Sequence, residues 1–207
     1  MNTLTTSFFK WANFALFAFL TLSCESRTTI DYTTVRPFSS NGNVNAIVEI
    51  PAGTNLKIEY NKKEERFEPD RRNGEDRRIN FLPYLGNYGF IPSTYSNPNM
   101  GGDGDGLDIL VLAESTATGT VMETIPIAIL KLVDNGEIDS KIIAVPADID
   151  KRIINATTFE EFSSEHLTAL NIIEDWFLNY DRTETMRIEG WGDEEETINE
   201  IKNSVIQ

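Results

Sequence analysis

Residues 101–108 read Gly-Gly-Asp-Gly-Asp-Gly-Leu-Asp, and the four that follow, Ile109–Leu112, are all apolar. Glycine at this density frees the backbone to turn tightly, so three carboxylates within six residues are able to converge at one point. The apolar run behind them reads as a buried strand. The segment therefore demands a fold that presents an acidic loop at the end of a core strand. Converging carboxylates are costly unless a cation neutralises them, which makes a hard metal such as Mg²⁺ the natural partner. A calcium loop of the EF-hand kind would use Asp103, Asp105 and Glu114, but it needs glycine where Asp108 stands. A solvated acidic turn is the bland alternative.

Composition narrows the chemistry further. The chain holds one histidine, His166, and one cysteine, Cys24, which excludes a disulfide framework, Cys/His zinc sites and any site built on two histidines. Any metal must be held by carboxylates. A net charge of −15 argues against nucleic acid as a partner. A length of 207 residues suits one domain with an appendage.

The appendage is N-terminal. In residues 1–23 Lys10 is the only charge, and the apolar run 11–23 is shorter than the ~20 residues of a membrane-spanning helix but suits a signal peptide. The run ends at Cys24 and resembles a bacterial lipoprotein signal, with Thr21 where leucine is usual. The expectation is a signal over 1–23, a flexible Ser/Thr-rich tether over 24–42 and a domain over 43–207. Localisation then follows as the bacterial cell envelope, lipid-anchored through Cys24 or periplasmic; the alternative is a cytoplasmic enzyme.

Along the domain, Ala46–Ile50, Leu56–Tyr60, Leu107–Ala113, Val121–Val133 and Lys141–Val145 read as strands. Residues 61–79 carry charges of both signs and read as an exposed hairpin or loop. Phe81–Pro98 shows little period. Phe159–Tyr180 spaces its apolar residues as one helix, and Asp193–Ile206 as a second. Strands followed by helices predict an α+β fold around a closed or nearly closed β-barrel.

A second acidic group, Asp134, Glu137 and Asp139, lies between two apolar runs and ends at Lys141. Alone it is an ordinary hairpin. Beside Lys57, Arg71, Tyr84, Tyr88 and Tyr180, it suits a polyanionic phosphate substrate.

In order and at matching spacings, Val48-Glu49-Ile50-Pro51, Lys57-x-Glu59, Asp70-Arg71, Asn87-Tyr88-Gly89-Phe90, Asp103-x-Asp105-x-x-Asp108, Asp134-x₄-Asp139-x-Lys141 and Ile188-Glu189-Gly190-Trp191 resemble the soluble family I inorganic pyrophosphatases. The resemblance runs from about Asn45 to Gly192. It implies a five-stranded OB-like closed barrel with flanking C-terminal helices that hydrolyses pyrophosphate with several Mg²⁺ ions, as a homo-oligomer. It assigns Asp103, Asp108, Asp134 and Asp139 to the metals and Asp105 to the general base. Lys57, Arg71 and Tyr180 would grip phosphate oxygens, Tyr88 would line the site, and Glu49, Glu59, Tyr84 and Lys141 would support it. His166 has no role and is expected on the helix surface. Where the family usually has lysine after the tyrosine, this chain has Asp181, expected to face solvent while Arg182 supplies the missing charge. The alternatives are a metal- or anion-binding module or decayed enzyme on the same fold, and hydrolysis of another phosphoanhydride.

Overall fold

The computed structural model describes residues 30–206, so the expected signal and Cys24 lie outside the described residues. The first half is built of β1 (Val44–Ile50), β2 (Ile58–Asn61), β3 (Arg66–Pro69), β4 (Arg71–Arg72), β5 (Glu75–Asp76), β6 (Asn87–Phe90) and β7 (Asp108–Val111). There follow β8 (Val121–Asp134), β9 (Glu137–Ile138), β10 (Lys141–Pro146), α1 (Phe159–Glu165), α2 (Leu167–Asn179), β11 (Met186–Gly192) and α3 (Glu194–Ser204). The main sheet orders its strands β1-β6-β7-β10-β8-β11, and β1 also pairs with β8, so five strands pair in a ring. Only the β7–β10 pair in it is parallel.

The apolar runs are continuous because both faces of these strands are buried. Successive side chains of a strand point to opposite faces. Leu110, Leu130, Ile143 and Val145 pack with Phe162, Leu170, Ile173, Trp176 and Phe177 of α1 and α2. Their neighbours Ile109, Val111, Ile129, Ile142 and Ala144 pack in a second cluster with Ile201 of α3. Each fully buried side chain of this size contributes roughly 1.5–3 kcal/mol.

The helix expected over Phe159–Tyr180 is two. His166 leaves helical geometry (φ −127°, ψ 31°), and its carbonyl accepts from Ala169 and Leu170 to start α2. The imidazole is therefore half-buried at a junction, 6.4 Å from the Phe162 ring, not on a helix surface. Strands β6 and β11 and the two-residue β9 stand outside the expected ones. β6 lies so close to β1 that a Cβ at Gly89 would sit 1.9 Å from the Ile47 carbonyl oxygen.

Part of the stretch expected as a tether lies against the domain. Tyr32 packs its ring on Tyr60 and Phe67 and donates to the Gly119 carbonyl at 2.8 Å. Ser93 donates to the Val35 carbonyl, and Phe38 bridges Val44. The Ser/Thr-rich composition concealed these aromatic anchors.

Candidate active site

The acidic loop takes the form its glycines allow. Gly104 holds φ +90°, and a Cβ at Gly102 would meet the Ser96 backbone carbon at 2.6 Å. Asp103 Oδ1 accepts the Asp105 N–H at 3.0 Å, which tightens the turn. Gly102 bridges Ile138, whose N–H donates to the Gly101 carbonyl at 2.6 Å. That bridge joins the acidic loop to the β8–β9 turn, so Asp103, Asp105 and Asp108 share one cleft with Asp134 and Asp139.

The strand register supplies the cation among them. Lys141 pairs directly with Asp108 across the parallel β7–β10 ladder. Its buried Nζ donates to Asp108 Oδ2 at 2.5 Å and also to Asp139. Although burial disfavours its charge, Asp108 and Asp139 hold the Lys141 ammonium well above its usual pKa. Tyr88 donates to the same Asp108 oxygen at 2.6 Å. Burial raises the Asp139 carboxyl against the pull of Lys141, with Asp108 reinforcing the rise. Asp105 is different: its side chain is 79% exposed at the cleft mouth, 3.7 Å from Lys62.

Most of the remaining candidate residues line the same cleft. Lys57, Glu59, Tyr84 and Tyr180 line the cleft of about 270 Å³. Lys57 pairs with Glu59 at 2.7 Å. Tyr180, at the end of α2, stacks on Trp176 with centroids 4.9 Å apart, and burial raises its phenol. Glu49 sits at a bulge in β1 between Val48 and Ile50, which turns its carboxylate to the Tyr60 N–H at 2.7 Å. Burial pushes that carboxyl up to about 8 despite the hydrogen bond.

Arg71 does not line the cleft. It lies on the β4–β5 hairpin, 69% exposed, against Asp76, and the cleft arginine is Arg77. The hairpin is an excursion that carries Arg71 out and returns the chain to Arg77 beside Asp70. The expectations for Asp181 and Arg182 also fail. Asp181 is 9% exposed and accepts from Arg77 at 2.5 Å and Arg72 at 2.8 Å, while Arg182 is exposed and does not line the cleft. Burial pushes the Asp181 carboxyl up, but hydrogen bonds from Thr183, Arg77 and Arg72 outweigh it and hold it well below the usual range. Sequence reading missed Arg77, Glu184 and Lys62. The signal for Arg77 is that Asp76-Arg77 repeats the Asp70-Arg71 dipeptide six residues later.

Among the described residues no group of three or more acidic, histidine or cysteine side chains is drawn together as a ready-made cation site. Asp134 Oδ1 is nonetheless buried with no hydrogen-bond partner. An orphaned carboxylate oxygen in a cleft lined by four further aspartates fits a cation. Magnesium commonly takes one or two carboxylates and completes its shell with water and phosphate oxygens.

Residues 46–207 match the family described as inorganic pyrophosphatase. The chain is 39% identical over 168 residues to an inorganic pyrophosphatase of Neisseria meningitidis serogroup B, covering 79% of this chain and 88% of that one. It is 34% identical over 166 residues to an inorganic pyrophosphatase of Sulfolobus acidocaldarius, covering 78% and 89%. The crystal structure of an inorganic pyrophosphatase from Neisseria gonorrhoeae superposes with a TM-score of 0.70 at 34% identity, over 84% of this chain and 96% of that one.

Proposed function

The chain belongs to the inorganic pyrophosphatase family and hydrolyses pyrophosphate, and we propose that the reaction runs in the cleft between the acidic loop, the β8–β9 turn and Tyr180. The family depends on metal, in general Mg²⁺. The observation that carries the reading is that five aspartates, from the acidic loop and from around the β8–β9 turn, line one cleft that also holds Lys57 and Arg77, one of the five with an orphaned buried oxygen.

Asp103, Asp108, Asp134 and Asp139 would hold several Mg²⁺ ions. When bound, Mg²⁺ neutralises phosphate oxygens and acidifies water. Lys141 and Tyr88 fix the Asp108 carboxylate, and Lys141 also fixes Asp139. Lys57, Tyr180 and, in place of Arg71, Arg77 grip the phosphate oxygens with charge-assisted hydrogen bonds. Asp105, exposed at the mouth and free of Lys141, takes a proton from the attacking water. The water oxygen bonds to one phosphorus, the bridging P–O bond breaks, and the departing electrons leave on the second phosphate. Glu49, Glu59 and Tyr84 support the cleft wall. All five aspartates are retained, which favours turnover over a decayed binding module.

The five-stranded ring is read as a closed, OB-like barrel, on the support of its unbroken pairing from β1 round to β8. The apolar run before Cys24 supports removal of residues 1–23 and lipid attachment at that cysteine, on the envelope side of a bacterial membrane.

Phosphate release from pyrophosphate and from ATP, each with and without Mg²⁺, tests the reaction. Two phosphates per pyrophosphate, dependent on Mg²⁺ and faster than release from ATP, are expected. Equal release from ATP would favour a general phosphoanhydride hydrolase, and none from either would favour the binding module.

A further inference from the structure

Arg72 does not line the cleft, yet it is wired to the rim of it. Its Nη1 donates to Asp181 Oδ2 at 2.8 Å and to Thr183 Oγ1 at 2.9 Å, and its Nη2 donates to Glu184 Oε1 at 2.9 Å. Arg77 Nη2 reaches the same two carboxylate oxygens at 2.5 and 3.0 Å. Two guanidiniums thus share two acids, and one of the guanidiniums, with Glu184, faces the cleft. The turn that carries Asp181 and Glu184 is anchored on its other side. Asn135 N–H donates to the Thr185 carbonyl at 3.0 Å, and Thr185 N–H to Asn135 Oδ1 at 3.1 Å. Asn135 follows Asp134, so hydrogen bonds tie the rim network to the acidic turn.

The charge balance shows what Arg72 contributes. Arg77 also donates to Asp70 at 3.3 Å. Asp70 is also met by Lys57 at 3.8 Å, so without Arg72 it is Asp181 and Glu184 that would be left with one guanidinium between them, one charge short toward an anionic substrate. Like charge at a binding site opposes both encounter and binding. With Arg72 present, two guanidiniums balance Asp181 and Glu184, so Arg77 does not meet both acids alone.

We propose that Arg72 is a positioning residue for pyrophosphate binding: it shares Asp181 and Glu184 with Arg77, so that this side of the rim is not left net acidic around the guanidinium that faces the substrate. The proposal rests on the reading of Arg77 as a phosphate ligand. It also explains how this chain keeps an acid where its family usually has lysine: the β4–β5 excursion brings an arginine to meet it.

The test is steady-state kinetics on the full chain at saturating Mg²⁺, comparing wild type, Arg72→Gln, Arg72→Lys and the double variant Arg72→Gln/Asp181→Asn. Arg72→Gln is expected to raise KM about 5- to 30-fold, with a smaller change in kcat. Arg72→Lys keeps the charge and recovers part of the loss. Adding Asp181→Asn removes the uncompensated acid and returns KM toward wild type, a rescue that a merely structural arginine would not give. An unmoved KM in Arg72→Gln, or a double variant no better than the single, overturns the proposal while leaving the cleft's activity standing. A wild-type protein without pyrophosphate hydrolysis overturns both.

Discussion

The Arg77 backbone N–H donates to the Asp70 carbonyl at 2.7 Å, so the chain closes on itself around residues 71–76. Asp70 and Arg77 are neighbours in space as Asp70 and Arg71 are in sequence. The excursion displaces the adjacent arginine and delivers a later one to the cleft.

Arg77→Ala is accordingly expected to lower kcat/KM about 10- to 150-fold, the worth of a charge-assisted hydrogen bond to phosphate. Arg71→Ala, which removes an exposed partner of Asp76, is expected to change it by less than about twofold. Steady-state assays of the two variants decide between the two arginines, and the reverse ranking would contradict the geometry.

Lys141 is the only cation between Asp108 and Asp139 among the described residues. Lys141→Met leaves two partly buried carboxylates without their shared cation. The expected cost is about 3–5 kcal/mol in urea denaturation of the metal-free protein. Adding Mg²⁺ is expected to recover part of it, because a cation bound to the folded state alone stabilises that state. A variant as stable as wild type without metal would contradict the role given to this ion pair.

Glu49 sets a pH dependence in the metal-free protein. Burial holds its folded carboxyl up at about 8, above its ordinary value of 4.5. The folded state therefore binds more protons than the unfolded state between these values. Its contribution is complete below about pH 4.5 and lost as pH rises through about 8, an effect on the order of a few kcal/mol. The depressed Asp181 carboxyl acts in a separate window, contributing above its ordinary 3.8 and losing that contribution only in stronger acid. Calorimetry from about pH 5 to 8 should show a falling Tm in wild type and a flatter profile in Glu49→Gln. Identical slopes would contradict the assignment.

Location has its own test. A lipid on Cys24 should keep the protein in the membrane fraction through a high-salt wash, since an apolar anchor is insensitive to screening. Cys24→Ser should release it or leave residues 1–23 attached. Soluble, uncleaved wild-type protein would place the enzyme in the cytoplasm instead.

The sequence was most legible where local chemistry and global fold agree. Ile109–Leu112 and Lys141–Val145 announce strands buried on both faces, and the glycine-spaced aspartates before them announce a turn. β6 was hidden because Asn87 and Gly89 are poor strand formers, required there by contacts elsewhere: Asn87 donates to the Glu114 carbonyl and Gly89 admits β1. β11 carries only a short alternation, Met186 then Ile188, before a register shift at Gly190 interrupts it. Asp181 was misplaced for a different reason. Its partners Arg72 and Arg77 are more than a hundred residues away, and no local pattern reports a long-range ion pair.

The most direct measurement is the turnover of Asp105→Asn beside wild type at saturating Mg²⁺, with metal affinity measured in parallel. Asp105 stands apart from the Lys141 ion pairs at the cleft mouth, so its loss should leave metal binding nearly intact. Removal of a positioned general base should lower kcat about 10²–10⁴-fold. Near-full turnover in this variant would contradict the assignment of this carboxylate as the group that takes the proton from water.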